Sequence, residues 1–357
     1  MKNKTLWLKI LISAIVVLFF SSFFLFERQF YKLLNPKVSQ VEQYLSESSL
    51  QLHFVDVGQG DAIAIRLPDD KKILIDSGTP ERALKLEKYL KTKFFKKGEE
   101  QTFDIFLITH PHQDHIGGGM AIFESFQVNN FYRPFVYLTT ETEDTTDFTF
   151  DSDVFSQVVQ MSKCEPNCTT VFFDRDTEIN GENYSFQFFT PWERIFNVNN
   201  FSPLILFKCF NKKFVLTGDL ESDAEQKILE MYDEELSNVD LLKVGHHGSK
   251  TSSSSEFVTT LKPSYSVISV GRNNEYGHPN QTTLDNLNAI ESKIYRTDNN
   301  GNIIFGLYKN YLIYVYDYFN RLPIRLQLWY IVVPCATFCV VVVFNIKFKT
   351  EDSKGKE

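Results

Sequence analysis

The most informative stretch of the chain is His-Pro-His-Gln-Asp-His at residues 110–115, which places four potential metal ligands within six residues. An apolar run, Phe106–Thr109, precedes it and is typical of a strand that ends in a loop. Imidazole and carboxylate together suit zinc or manganese, and the lack of thiolates argues against a closed structural zinc site. A polar loop with incidental histidines is the alternative, but this spacing favours a reactive metal centre.

Polar side chains also follow other apolar runs closely. Asp76, Asp219 and the pair His246–His247 each come just after a predicted strand. If these strands share a sheet, their carboxyl ends converge and assemble one site. A carboxylate such as Asp219 can bridge two ions, and paired metals about 3.5–4 Å apart hold a hydroxide between them. The pattern therefore predicts hydrolysis at phosphorus or at an acyl carbon.

The order of elements predicts an α/β fold. Hairpin strands open the domain, and alternating strands and helices follow, which is the pattern of an αββα sandwich. A doubly wound nucleotide fold is not expected, because no helix follows Gly58-Gln59-Gly60. Residues 81–97 are expected to form a basic helix whose charged face is solvated, with a nucleic-acid contact as the alternative, and the acidic residues 141–153 are expected to form an excursion over or beside the site.

The composition limits the possible partners. The 357 residues suit one large domain or two modest ones, and the formal net charge is −8. That charge argues against a general electrostatic attraction to nucleic acid, although a groove made positive by bound metals remains compatible with it. Cys164 and Cys168 could close a small disulfide loop in an oxidising compartment or remain free thiols.

Two apolar runs, at residues 10–26 and 328–346, approach the ~20 residues that span a bilayer as a helix. The first could be a cleaved signal peptide, but no small-residue cleavage pattern follows it. The second could be a core helix, but its valines and flanking lysines favour the membrane. The lysines at both ends predict cytoplasmic tails at 1–9 and 347–357. A linker (27–50) and an extracytoplasmic domain (51–320) would complete a two-pass membrane protein.

Six motifs in this order resemble the metallo-β-lactamase fold superfamily and, more closely, the ComEC-type competence proteins. They are FVDVGQGDA at 54–62, LIDSG at 74–78, THPHQDHIGG at 109–118, LTGD at 216–219, KVGHHGS at 243–249 and YGHP at 276–279. The resemblance covers roughly residues 51–308. It implies a metallo-β-lactamase sandwich that binds two divalent ions, zinc or manganese.

The resemblance also implies a set of metal ligands. These are His110, His112, Asp114, His115, Asp219 and His246. The first two would bind the first metal, the next two the second metal, Asp219 would bridge, and His246 would complete the second site. True β-lactamases more often carry cysteine at the bridging position, so β-lactam hydrolysis is not expected.

One usual ligand is missing. The superfamily usually has a further metal-binding histidine before the bridging aspartate, and this chain has no histidine between His115 and His246. The residues that could line the vacancy or swing into it are Asn199, Asn200, Ser202, His247 and His278. We therefore expect a weak or exchangeable first metal.

The remaining polar residues of the motifs have less specific roles. We assign Asp114 and His247 to catalysis, with His247 acting as ligand, proton donor or outer partner. Asn200, Ser249 and His278 are candidate substrate contacts, with helix capping the alternative for Ser249 and a turn role the alternative for His278. Asp56 and Asp61 are expected to cap turns, and Asp76 to support the ligand loop.

These features predict a membrane-anchored metal-dependent hydrolase, most simply a phosphodiesterase. Its partners would be a phosphodiester or other ester substrate and the membrane, with nucleic acid possible but not required. One alternative is an extracellular nuclease that acts on DNA or RNA. The other is a catalytically weak, membrane-tethered binding module, which the missing histidine suggests.

Overall fold

The structure, a computed structural model, describes residues 43–144, 147–190 and 197–316. The apolar runs at 10–26 and 328–346, and the tails beyond them, lie outside these residues. Within the described part of the chain, no helix has the length and apolar character needed to cross a bilayer.

Most of the described chain is built from short strands. They are β1 (Leu50–Phe54), β2 (Ile63–Arg66), β3 (Lys72–Ile75), β4 (Thr102–Phe103), β5 (Ile105–Leu107), β6 (Gln127–Val128), β7 (Asn130–Arg133), β8 (Thr169–Phe172), β9 (Glu178–Gly181), β10 (Tyr184–Phe189), β11 (Leu204–Cys209), β12 (Lys212–Leu216), β13 (Leu241–Lys243), β14 (Tyr265–Ile268), β15 (Lys293–Arg296), β16 (Ile303–Tyr308) and β17 (Tyr311–Tyr316).

Helices and single turns connect these strands. The α-helices are α1 (Ala83–Tyr89), α2 (Gln113–Ile116), α3 (Gly119–Ser125), α4 (Asp153–Cys164), α5 (Ser222–Leu236), α6 (Ser255–Leu261), α7 (Gln281–Ala289) and α8 (Thr297–Asn300). A π-helical turn, Leu90–Phe94, continues α1, and 3-10 turns lie at Pro80–Arg82, Val198–Phe201 and Gly245–Gly248.

The first sheet has the strand order β17-β16-β1-β2-β3-β5-β7-β8. Strands β1, β2 and β3 pair antiparallel, whereas β3, β5, β7 and β8 run parallel. Ile75 at the end of β3 pairs with Leu107 at the end of β5. The segments that carry Asp76 and the histidine loop therefore leave the sheet at the same edge.

The second sheet has the order β15-β14-β13-β12-β11-β10-β9, and its strands β12 to β15 run parallel. Leu216 at the end of β12 pairs with Lys243 at the end of β13. Lys243 in turn pairs with Val267 in β14. The loops that carry Asp219, the paired histidines and Ser269 therefore also leave from one edge.

The two sheets pack face to face across a core of aliphatic and aromatic side chains. Tyr265 of β14 and Phe305 of β16 meet across this core, with ring centroids 5.2 Å apart. Helices α1, α3 and α4 cover the outer face of the first sheet, and α5, α6 and α7 cover that of the second. The predicted αββα sandwich is confirmed.

Local details refine the sequence analysis. The basic helix is α1 with its π-helical turn, so it begins and ends inside the predicted range 81–97. Helix α4 lies in a region where the sequence pattern is weak, and it begins after Ser152, whose side chain accepts a hydrogen bond from Phe155 N. Cys164 and Cys168 are free thiols.

Candidate metal centre

Asp76 anchors the histidine loop where it leaves β5. One carboxylate oxygen of Asp76 accepts a hydrogen bond from Thr109 N at 2.8 Å, and the other accepts one from Thr109 Oγ1 at 2.8 Å. His112 then occupies the cap position of α2, which brings Asp114 and His115 into the first turn of that helix. Asp76 therefore supports the ligand loop by hydrogen bonding, the role predicted from the sequence.

His115 is buried between two carboxylates. Its Nδ1 lies 2.8 Å from Asp76 Oδ2, and its Nε2 lies 3.1 Å from Asp219 Oδ1. Nε2 and Oδ1 are close but not aligned as a hydrogen bond, and neither atom has another hydrogen-bond partner. Burial opposes a charged imidazole, but Asp219 and Asp76 overcome it and raise the pKa of His115 well above its ordinary value.

Four residues converge on one point. Asp114, His115, Asp219 and His247 each offer one ligand atom, and these atoms all lie within 4.8 Å of one another. His247 Nε2 lies 3.2 Å from Asp114 Oδ2 and 3.7 Å from Asp219 Oδ2. Its Nδ1 donates to the carbonyl oxygen of Ser269 at 3.0 Å, which leaves Nε2 directed at the carboxylates. The loops after β5, β12 and β13 thus meet in a single four-residue cluster.

Electrostatics show how strongly negative this cluster is. Burial lowers the pKa of His247, but Asp219, Asp114 and Asp61 outweigh it and raise that pKa to about 10. Burial raises the pKa of Asp219, but the surrounding imidazoles hold it well below its ordinary value. These shifts follow from carboxylates and imidazoles held close together, an arrangement that favours bound positive charge.

His246 lies at the rim of the same cluster. Its Nε2 is 3.7 Å from Asp219 Oδ2, and its Nδ1 is 3.4 Å from Glu221 Oε1. Its side chain is 24% exposed, whereas that of His247 is 2% exposed. Both histidines have left-handed backbone conformations, with φ of 46° and 53°. The structure therefore places His247 in the four-residue cluster and His246 beside it, open to solvent.

His110 and His112 form a second pair of donors beside Asp219. His110 Nε2 lies 2.9 Å from His112 Nδ1 and 3.9 Å from Asp219 Oδ2. His110 Nδ1 is within 3.2 Å of both Thr109 Oγ1 and Ser202 Oγ, so Nε2 faces His112. Two imidazoles and the shared carboxylate thus make up the position that the sequence assigns to the first metal.

The segment before β11, where the usual histidine is missing, is engaged elsewhere. Asn200 donates to Asp223 Oδ1 and accepts from Glu221 N, so it fastens the segment to the start of α5. Asn199 donates to Glu221 Oε1 at 2.9 Å, and its own Oδ1 has no hydrogen-bond partner. Ser202 Oγ accepts from Asp219 N at 3.1 Å. Through Ser202, this segment contacts both Asp219 N and His110 Nδ1.

The predicted substrate contacts fall in different environments. Asn200 is 1% exposed and makes the bonds described above. Ser249 Oγ pairs with Thr251 Oγ1 at 3.0 Å. His278 lies at the rim between the rings of Tyr276 and His246, with centroid distances of 5.7 and 5.6 Å. Of the three, His278 is the residue whose ring lies against that of His246 at the rim.

Two further residues at the site went unrecognised in the sequence. Asp61, expected to cap a turn, is buried, and its Oδ2 lies 2.7 Å from Lys243 Nζ. His247 Nδ1 lies 3.5 Å from Asp61 Oδ1. A signal was available, because Lys243 interrupts a run that the pattern predicts as a buried strand.

The donor atoms fit divalent ions. Imidazole nitrogens and carboxylate oxygens are the ligands that zinc and manganese accept. His115 Nε2 and Asp219 Oδ1 are buried without a hydrogen bond, which is costly unless another group satisfies them. The four-residue cluster, hereafter the quartet, also contains the carboxylates of Asp114 and Asp219, whose mutual repulsion a bound cation would relieve.

The sequence is similar to those of known proteins. The family model of the Metallo-beta-lactamase superfamily matches residues 55–272. ComE operon protein 3 of Bacillus subtilis is 29% identical over 274 residues, which is 73% of this chain and 33% of that protein. Recombination protein 2 of Haemophilus influenzae is 27% identical over 269 residues, which is 75% of this chain and 30% of that protein. The chain therefore spans about a third of the length of these relatives.

Among solved structures, the metallo-beta-lactamase fold protein YhfI of Bacillus subtilis aligns with a TM-score of 0.45 at 11% identity, covering 69% of this chain and 95% of that one. The curated matches confirm the expected resemblance to ComEC-type competence proteins. With the family model covering residues 55–272 and the motif residues gathered at one edge of the sandwich, the chain belongs to the metallo-beta-lactamase superfamily.

Proposed function

We propose that the chain is a metal-dependent phosphodiesterase. The observation that carries the proposal is the convergence of Asp114, His115, Asp219 and His247 within 4.8 Å, beside the His110–His112 pair. Divalent ions bound there would supply Lewis-acid activation of water and of a phosphoryl oxygen. Asp219 would serve ions at both positions, because its Oδ1 lies 3.1 Å from His115 Nε2 and its Oδ2 lies 3.9 Å from His110 Nε2.

The residues behind the ligands prepare the site for this role. Asp76 holds His115 through Nδ1, and the Ser269 carbonyl holds His247 through Nδ1. Each contact fixes Nδ1 as a donor and directs Nε2 at the carboxylates, where it would bind a metal ion once its proton is released. The two imidazoles are thus oriented before any ion or substrate arrives.

The sequence suggests His246 as the metal ligand, whereas the geometry favours His247 as the ligand and His246 as a substrate contact. We assign His247 as the ligand, because its Nε2 is buried among the carboxylates. We assign His246 and His278 to substrate contact, because they lie at the rim and their rings are 5.6 Å apart. Glu221, 3.4 Å from His246 Nδ1, would orient His246 toward the substrate.

The choice of phosphodiester over other esters rests on the relatives. One is named Recombination protein 2, and another, which is 34% identical over 127 residues, is named Competence protein ComA of Neisseria gonorrhoeae; DNA, on which recombination acts, is a phosphodiester polymer. The same names make a nuclease the second candidate function. The net charge of −8 favours a small or metal-accompanied phosphodiester over a long bare polyanion.

We further propose that the domain is anchored in a membrane and faces away from the cytoplasm. The support is the sequence, with its apolar runs at 10–26 and 328–346 and the lysines beyond them. Cysteine substitutions in the tails and in the domain, probed with a membrane-impermeant thiol reagent on intact cells, test the orientation. Labelling of the tails but not of the domain would contradict it.

A metal-by-substrate screen of the purified full chain tests the enzymatic proposal. The chain is stripped with a chelator, supplied with zinc or manganese, and assayed on bis-p-nitrophenyl phosphate, a p-nitrophenyl carboxylic ester and single-stranded DNA. We expect the phosphodiester to be cleaved. Asp219→Ala should lower the rate of hydrolysis by more than the roughly 100-fold that is typical when a residue hydrogen-bonded to a metal ligand is lost. Asp285→Ala, a change to an exposed carboxylate, is the matched control. Turnover of the carboxylic ester alone, or no turnover with either metal, would contradict the proposal, and the second result would favour the binding module.

A further inference from the structure

A buried ion pair lies directly behind the candidate metal ligands. Lys243 Nζ is 2.7 Å from Asp61 Oδ2, and the two side chains are 0% and 1% exposed. Lys243 also donates to the Val244 carbonyl oxygen at 2.9 Å. Lys243 belongs to β13 of the second sheet, whereas Asp61 precedes β2 of the first. The pair therefore ties the two sheets together just below the metal centre.

Asp61 contacts the metal centre through both its side chain and its backbone. Its Oδ1 lies 3.5 Å from His247 Nδ1, on the side of the ring opposite the atom that faces Asp114 and Asp219. Its backbone N–H donates to the Asp114 carbonyl oxygen at 3.1 Å. One residue thus touches two members of the quartet, which come from different sheets.

The ion pair with Lys243 also affects the availability of Asp61 as a metal ligand. Asp61, Asp76 and His115 form a second group whose potential ligand atoms lie within 4.8 Å of one another. The Lys243 ammonium supplies positive charge at Asp61, so this carboxylate is already paired. Its Oδ2 is thus taken up by Lys243, while its Oδ1, which has no hydrogen-bond partner, faces His247 Nδ1 at 3.5 Å.

From these contacts we propose that Asp61 and Lys243 are a positioning pair, which holds His247 and the Asp114 loop at the spacing that metal binding requires. The inference rests on the proposed metal centre and gives Asp61 and Lys243 a role that their motifs alone do not indicate. Outer partners of metal-binding histidines typically change metal affinity by roughly 10–100-fold when they are lost.

The test must separate positioning from simple stabilisation. Removing one member of a buried ion pair leaves an unpaired charge and destabilises the fold, whereas removing both is often tolerated. We therefore compare two charge-free double variants, Asp61→Ala with Lys243→Met and Asp61→Asn with Lys243→Met. The asparagine keeps the shape and an oxygen that can face His247. The control is Arg66→Met with Glu99→Gln, which removes another largely buried pair, with a nitrogen–oxygen distance of 2.7 Å, whose arginine lies in β2 of the first sheet.

Two quantities are measured on the purified full chain: the Kd for Mn²⁺ and Zn²⁺ by competition with a chromophoric chelator, and the Tm of the metal-free form. We expect the alanine variant to bind roughly 10–100-fold more weakly, and the asparagine variant to show a smaller loss. The control pair should shift Tm and leave Kd unchanged.

Wild-type Kd in a folded alanine variant would overturn the inference. If the alanine variant does not fold, the asparagine variant decides, and wild-type Kd there would overturn it equally. Equal weakening in the control pair would also overturn it, because the effect would then be general destabilisation. A wild-type chain that binds neither ion would instead contradict the proposed function, so the two failures are distinguishable.

Discussion

His247 Nε2 lies 3.2 Å from Asp114 Oδ2, although the two residues are 133 positions apart in the chain. Asp114 follows a strand of the first sheet, and His247 follows a strand of the second. Both also face Asp219. The contact therefore exists only when the two sheets are packed together, and the candidate metal centre depends on the whole sandwich.

Metal should stabilise the folded chain because its ligands come from both sheets. At a free metal concentration of 100 times Kd, the expected gain in the free energy of unfolding is about 2.7 kcal/mol. Thermal denaturation with chelator and with added Mn²⁺ or Zn²⁺ measures it as a rise in Tm. Asp219→Ala should lose this response, and a response that survives in that variant would place the binding elsewhere.

The paired histidines should differ in their effect on metal binding. His247→Asn removes a member of the buried quartet, so the variant should retain less metal after desalting than the wild type. His246→Asn should retain the metal but lose activity, because His246 lies at the rim. Asparagine is chosen at both positions because it tolerates the left-handed backbone found there. Metal content by plasma emission spectroscopy is the readout, and the reverse pattern would restore the sequence-based assignment.

The two metal positions should differ in affinity. The quartet offers four ligands, whereas the position at His110 and His112 has two imidazoles and the shared Asp219. Calorimetric titration of the stripped chain should show one tightly bound ion and a second that binds more weakly and exchanges. Two ions held with equal affinity would show that a ligand completes the first position despite the missing histidine.

Gly60→Ala should disturb the centre through the backbone. A Cβ at this position would lie 2.3 Å from the Asp114 carbonyl oxygen, so the histidine loop would have to move. We expect a loss of roughly 1–3 kcal/mol in the free energy of unfolding, as for other overpacked sites, together with weaker metal binding. In Gly98→Ala the new Cβ meets no atom within 4 Å, so that control should keep its metal affinity. Unchanged Kd and Tm in Gly60→Ala would refute the close approach.

Glu225 should make stability depend on pH independently of the metal centre. Burial raises its pKa to about 7, against the opposing effect of hydrogen bonds from Ser254 N and Ser253 N. A raised pKa means that the folded state holds the proton more tightly than the unfolded state. The stabilising contribution is therefore full below the model value of 4.5 and is lost as the pH rises through about 7.

The size of this contribution is roughly 3 kcal/mol. Glu225→Gln removes the titrating group, so its free energy of unfolding should change less than that of the wild type between pH 5 and pH 8. Denaturation of the metal-free chain at both pH values measures the difference. Glu256→Gln, at an exposed position, should keep the wild-type dependence. A Glu225→Gln curve parallel to the wild type would argue against the raised pKa.

The sequence alone determined the class of fold and the kinds of ligand at the site. The segments KILI at 72–75 and LILFKC at 204–209 each predict a strand from the sequence, and β3 and β11 occupy those residues, because apolar runs bounded by turn residues carry their own signal. The sequence pattern between residues 121 and 183 is weak and does not predict β8 or β9. Their sequences, TTVF and EING, are partly exposed, and each strand lies at the edge of its sheet. Such short, half-buried strands form because a neighbour pairs with them, which local patterning does not record.

Only the tertiary structure decided which residues meet. Spacing placed His246 and His247 side by side, but consecutive left-handed conformations send one ring into the carboxylates and leave the other at the rim. Spacing also left Asp61 as a turn residue, whereas packing of the two sheets places it against Lys243. Ligand type is a property of individual residues and can be read along the chain. Ligand geometry depends on contacts between strands far apart in sequence, so it appears only when the sandwich has formed.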